Sequence, residues 1–142
     1  MREQVLKRTA VLVIALVGLY AFVAPAQSAV FSTLSPRQFK SMLDESANDP
    51  DLVLLDIRTP REYADGHIAG AVMIDYYSSE FVERLKGLDR LKTYLIYCRS
   101  GNRTGKSLAI FEKLGFDRVY HLETGLVGWI KESYPLVRQT NS

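Results

Sequence analysis

The sequence predicts an α/β fold: one domain with a mostly parallel central sheet and helices on both faces. Two observations carry this. Short apolar runs alternate with segments of helical periodicity, the order that builds parallel sheets from strand–helix–strand units. Runs such as Leu52-Val53-Leu54-Leu55-Asp56-Ile57 are nearly continuously apolar, as in strands covered on both faces. A third observation concerns chemistry. The chain has one cysteine, Cys98, directly after Tyr94-Leu95-Ile96-Tyr97. Sites in open α/β sheets lie at the carboxyl ends of strands.

The elements follow in order. Residues 30–34 are a short lead-in or edge strand. Ser35-Pro36-Arg37-Gln38 opens a helix: Ser35 caps, Pro36 suits the first turn and Gln38 completes a capping box. Phe39, Met42 and Leu43 then share one apolar face. Asn48-Asp49-Pro50-Asp51 is a turn, and residues 52–57 form a buried strand. Thr59-Pro60 starts a short helix that ends at Asp65-Gly66. Residues 71–74 read as another short buried strand. Phe81, Val82 and Leu85 have helical spacing, and residues 94–98 are a strand. Residues 105–114 are a helix with Leu108, Phe111 and Leu114 inward; Gly115-Phe116 fits its C-terminal cap. Residues 118–122 form the next strand, and residues 125–131 a final helix closed by Pro135.

Residues 1–29 form a separate segment. Arg2, Lys7 and Arg8 precede an apolar stretch, 10–24, and small residues suited to cleavage follow in Ala24-Pro25-Ala26 and Ala26-Gln27-Ser28. This is the pattern of a secretory signal peptide. The alternative is an uncleaved membrane anchor, although the stretch is shorter than the roughly 20 apolar residues of a usual spanning helix. Both place residues 30–142 outside the cytoplasm, in the periplasm or an equivalent compartment, because the basic flank stays inside. Three of the 18 basic residues and one of the 16 acidic residues lie in this segment. The remainder is formally neutral, which argues against a nucleic-acid partner. An exported protein with one cysteine forms no internal disulfide, so Cys98 is a free reactive thiol or an intermolecular link.

The segment Cys98-Arg99-Ser100-Gly101-Asn102-Arg103-Thr104 carries the chemistry. A thiol beside arginines and a helix N-terminus is placed to ionise. Gly101 and Gly105 let the backbone curl, so that successive N–H groups face inward as an anion-binding nest. The dipole of the following helix adds to that field. Arg103 and Arg99 are candidates to bind donor oxygens, while Arg99 can instead point to solvent. No Cys/His cluster suggests a metal.

Three segments, in order, resemble the rhodanese (thiosulfate sulfurtransferase) family: Asp56-Ile57-Arg58-Thr59-Pro60-Arg61-Glu62-Tyr63, Gly66-His67-Ile68-Ala69-Gly70-Ala71, and Cys98-Arg99-Ser100-Gly101-Asn102-Arg103. Leu122-Glu123-Thr124-Gly125 with Trp129 and Tyr134-Pro135 extends the match, which covers about residues 32–137. The chain departs at Met73-Ile74-Asp75, where members often have Asn-Ile-Pro, and at Thr124-Gly125, where they often have Gly-Gly. The resemblance implies transfer of a sulfane sulfur through a Cys98 persulfide, from a donor such as thiosulfate to a thiol or cyanide acceptor. It implies no metal or organic cofactor.

Two other functions stand beside this one. A module of the same fold can bind a partner or carry persulfide sulfur without turnover. Related phosphatases and arsenate reductases have five residues between Cys and Arg; here Cys98 and Arg103 are separated by four. The shorter loop favours sulfur over a tetrahedral oxyanion. Asp56, Arg58 and Glu62 read as loop-holding groups, and the resemblance implies that His67 bridges loops. His121 reads as a strand histidine without chemistry, and Trp129 as a core or rim residue. Tyr76 and Tyr77 are weak candidates for the pocket mouth. Oligomeric state is left open.

Overall fold

A computed structural model describes residues 28–138. The segment read as a signal peptide or anchor lies outside them except for its last two residues. Ten elements follow in chain order: β1 (Val30–Leu34), α1 (Pro36–Glu45), β2 (Leu52–Asp56), α2 (Pro60–Asp65), β3 (Val72–Met73), α3 (Phe81–Lys86), β4 (Thr93–Tyr97), α4 (Asn102–Lys113), β5 (Arg118–Leu122) and α5 (Gly125–Lys131). The strands make one sheet in the order β1-β5-β4-β2-β3. Every pairing is parallel. The predicted mostly parallel sheet is therefore fully parallel, and the strand that leads to Cys98 is its middle one.

Side chains alternate across each strand, and the two faces bury different helices. Leu54, Leu95, Tyr97 and Leu122 pack with Phe39 of α1 and with Leu126 and Trp129 of α5. Leu55, Tyr94, Ile96 and Val119 pack with Phe81 and Leu85 of α3 and with Phe111 of α4. Cys98 continues the second set, so its side chain leaves the sheet on the face covered by α4.

The caps explain where the first helices start. Ser35 and Gln38 form the expected capping box on α1. A second box, Thr59 with Glu62, starts α2. Each satisfies N–H groups that a helix start leaves without intrahelical partners.

Two expectations need correction. Residues 71–74 form only a two-residue strand at the sheet edge, with Val72 half exposed. Among the described residues no further strand covers it, so only Ala71 and Ile74 turn fully inward. The long helix begins at Asn102, three residues before the expected start, because Gly105 N–H already donates to the Gly101 carbonyl at 2.9 Å. Gly105 is thus a helical residue and not part of the curl.

Leu95 is fully buried in the middle strand. Leu95→Ala is expected to cost about 2–5 kcal/mol of stability, and Val82→Ala on the exposed side of α3 less than about 0.5 kcal/mol, both measured by urea denaturation.

Candidate active site

Cys98 follows β4, and the chain turns within three residues into α4. The turn needs Gly101, whose φ is +86°; a Cβ there would lie 1.8 Å from the Glu123 carbonyl oxygen. Leu126 N–H donates to the Cys98 carbonyl at 2.8 Å, and Val127 N–H to the Arg99 carbonyl at 3.0 Å. A peptide's C=O and N–H point in opposite directions. With these two carbonyls drawn toward α5, the Arg99–Ser100 amide is left facing the sulfur. Gly125 makes this approach possible: at φ +55°, a Cβ would lie 2.6 Å from the Cys98 oxygen. The sequence departs from the family pattern at Thr124 and keeps the glycine that the contact requires.

The sulfur lies inside the turn and is almost completely covered; Cys98 is 1% exposed. Gly101 N–H donates to Sγ at 3.2 Å, and Thr104 Oγ1 lies 3.6 Å away. Burial pushes the thiol pKa up. Hydrogen bonding from the Thr104 amide and hydroxyl and from the Ser100 and Gly101 amides outweighs it, and the net shift is downward. No side chain caps α4, and no acidic residue occupies its first turn. The sulfur accepts from the N-cap amide of Gly101 and faces the Thr104 hydroxyl at the N3 position. Backbone N–H groups and Thr104 lead in favouring the thiolate, and the charge of Arg103 acts on Cys98 in the same sense.

Arg103 is held elsewhere. Its Nη1 and Nη2 donate to the two carboxylate oxygens of Glu62 at 2.8 and 2.7 Å, and its guanidinium lies over the Tyr77 ring at 5.5 Å. Glu62 therefore caps α2 and clamps α4 to it. Ser100 and Asn102 are exposed on the turn. Arg99 is exposed and lines a cleft of about 340 Å³ together with Arg58, Glu62, Leu126, Val127 and Ile130.

The supporting residues sit below this turn. Asp56 and Arg58 form a buried ion pair, with Nη2 at 2.6 Å from Oδ2; Arg58 also donates to the Gly66 carbonyl at 2.7 Å. This pair secures the connections that leave β2 and α2. His67 stacks on Tyr63 at 3.7 Å, hydrogen-bonds the Tyr63 carbonyl through Nδ1 and pairs through its backbone with Val137. It thus joins α2 to the C-terminal segment. Trp129 is a core residue whose Nε1–H donates to the Pro135 carbonyl. Tyr77 reaches the site through Arg103, whereas Tyr76 packs on Phe81.

His121 was the residue missed. It is buried on β5, with Nδ1 3.3 Å from Thr104 Oγ1 and Nε2 2.9 Å from Thr33 Oγ1. Its expected position on a strand is right, but that strand runs beside the cysteine strand. The sequence signal that could have found it is that it and Cys98 both lie at strand ends on one side of the sheet.

The Glu62 carboxyl is held down to about 2, chiefly by hydrogen bonds from Arg103, against burial that raises it and with further help from Thr59. Its contribution to stability is complete above the ordinary value of 4.5 and is lost as pH falls from there toward 2. Stability measured by urea denaturation across this interval is expected to fall more steeply in the wild type than in Glu62→Gln. Parallel profiles would remove Glu62 as the acid-sensitive clamp.

Comparison with known proteins agrees with this architecture. A family model described as the rhodanese-like domain matches residues 35–132. A protein of Allochromatium vinosum named "Sulfurtransferase" is 32% identical over 98 residues, which are 69% of this chain and 90% of that protein. "Probable adenylyltransferase/sulfurtransferase MoeZ" of Mycobacterium tuberculosis is 36% identical over 110 residues, 78% of this chain but 27% of that protein. The chain thus spans about a quarter of the length of that relative. The crystal structure of a rhodanese-related protein from Thermoplasma volcanium superposes with a TM-score of 0.64 at 30% identity, covering 76% of this chain and 99% of that one. A match through most of the chain, joined to a parallel sheet that delivers its one cysteine into a helix-capped turn, establishes that this chain belongs to the rhodanese-like family.

Proposed function

We propose that the chain is a sulfurtransferase with Cys98 as its sulfur carrier. The observation that carries this is the buried Cys98 sulfur at the start of α4, which accepts from the Gly101 amide and lies beside the Thr104 hydroxyl. Cys98 thiolate attacks the outer sulfur of thiosulfate or a similar donor. A bond from Sγ to that sulfur forms, the donor's S–S bond breaks, and sulfite leaves with the electron pair. A thiol or cyanide then attacks the outer sulfur of the persulfide, and the Cys98 thiolate leaves. Splitting the transfer into two displacements is nucleophilic catalysis. The same preorganised amides face the anionic sulfur in each half. The names of relatives containing "sulfurtransferase" support this reading. The commitment of both Arg103 terminal nitrogens to Glu62 favours it over the phosphatase alternative, in which a guanidinium holds a tetrahedral oxyanion.

Arg99 at the cleft and Arg103 behind it supply the positive field for the donor's oxygens, with Ser100, Gly101, Asn102 and Thr104 shaping the cradle. The leader-like composition of residues 1–29 supports export. With no second cysteine in the chain, the persulfide is discharged onto an outside acceptor.

The purified protein with thiosulfate and cyanide is expected to form thiocyanate, and Cys98→Ser to form none. Mass spectrometry after thiosulfate alone should find one added sulfur on the Cys98 peptide. An adduct without turnover would assign the chain as a carrier, and thiocyanate from the serine variant would overturn the mechanism. Arg103→Ala is expected to slow the donor half-reaction by about tenfold, as read by stopped-flow, and the acceptor half less. Equal slowing of both halves would leave Arg103 a purely structural role.

A further inference from the structure

The Thr104 hydroxyl has one proton and three neighbours that could take it. The Gly101 carbonyl lies at 3.0 Å, His121 Nδ1 at 3.3 Å and Cys98 Sγ at 3.6 Å. The Gly101 carbonyl already accepts Gly105 N–H, so it remains satisfied if the hydroxyl turns away. The Gly101 carbonyl competes at the shorter distance, and the imidazole tautomer decides whether His121 competes for the proton as well or leaves it to the carbonyl and the sulfur. With the proton on Nε2, His121 donates to Thr33, and Nδ1 draws the Thr104 proton away from the sulfur. With the proton on Nδ1, His121 accepts from Thr33 and donates to Thr104 Oγ1. The hydroxyl proton is then released toward the anion.

We propose that His121 is a positioning residue: held by Thr33, it donates through Nδ1 to Thr104 and so directs the Thr104 hydroxyl at the Cys98 thiolate. The proposal rests on the reading of Cys98 as the nucleophile, and it assigns a task to a buried histidine which that reading leaves without one. Burial lowers the His121 pKa, with the Glu123 charge opposing, which keeps the ring neutral and the tautomer meaningful. Among the described residues, its side-chain hydrogen-bond partners are Thr33 on β1 and Thr104 on α4, and the charge acting on it is Glu123 after β5. A thiolate attracts the hydroxyl proton more strongly than a thiol does, because hydrogen bonds to ionised acceptors are the stronger class. The Thr33–His121–Thr104 chain therefore favours the ionised form of Cys98. The thiol proton itself passes to bulk water.

The test is titration of Cys98, followed by thiolate absorbance and by the pH dependence of iodoacetamide alkylation. Neither measurement uses a sulfur donor, so its outcome is independent of whether the protein forms thiocyanate. His121→Phe is expected to reduce the thiolate fraction about tenfold at a given pH below the midpoint, a rise of about one unit. Thr104→Val should do the same, and the double variant should add nothing to Thr104→Val. His121→Asn, which can place an N–H near the Nδ1 position, should recover most of the thiolate. Thr33→Val keeps the ring but removes its hydrogen bond at Nε2, which loosens the hold on the ring, and should give a smaller rise. It also keeps the proposal falsifiable if His121→Phe does not fold. A wild-type titration in His121→Phe or in Thr33→Val, or additive effects in the double variant, would overturn the proposal.

Discussion

A helix N-terminus that no side chain caps is the constraint on which the rest of the site depends. The first turn of α4 offers amide donors without intrahelical partners, and the Cys98 sulfur stands where a capping oxygen would. Each supplies what the other lacks. The sulfur is almost fully covered, which alone would favour the neutral thiol. The amides reverse that preference only because the backbone turn is tight enough to aim them inward. That tightness rests on contacts outside the turn: α5 draws two carbonyls outward, and Gly101 and Gly125 let three segments approach to distances that a Cβ would forbid.

Two ion pairs then hold the neighbouring connections against this turn. Asp56 with Arg58 is deeply buried, and its carboxylate also receives the Arg58 amide, so the charges do not depend on each other alone. Glu62 with Arg103 is partly exposed and bidentate. The first fixes the β2–α2 connection to the Gly66 turn, and the second joins α2 to α4. Arg103 sits one residue before Thr104, so a clamp on Arg103 also limits the motion of the hydroxyl that meets the sulfur.

Much of this was legible in the sequence. The continuous apolar runs of β2 and β4 revealed buried parallel strands, and Ser35-Pro36-Arg37-Gln38 revealed a helix start, because each signal is local. The cysteine loop was legible for the same reason. What sequence reading missed depends on separation. Glu62 and Arg103 are 41 residues apart, His121 and Thr33 are 88 apart, and neither pairing leaves a local pattern. The start of α4 was placed late because Ser100-Gly101-Asn102 has loop composition, whereas the Gly101 carbonyl and the Gly105 amide close a regular turn. The edge strand β3 was overextended because an apolar run does not record whether another strand lies beside it.

The position of β4 has a consequence for how such a protein can diversify. As the middle strand it is braced by β5 on one side and β2 on the other, and the turn that follows it tolerates no Cβ at Gly101. Sequence change there disturbs the packing and the chemistry together. The cleft beside it is lined by Arg99 of the turn together with Arg58 and residues of α2 and α5, and of these Val127 and Ile130 on α5 are exposed and contribute little to the core. Tolerance to substitution is thus concentrated on the outer wall of the cleft. Substitution at Val127 or Ile130 can therefore reshape the approach beside the turn without removing a core contact, whereas substitution at Gly125 or Glu62 reaches the turn itself.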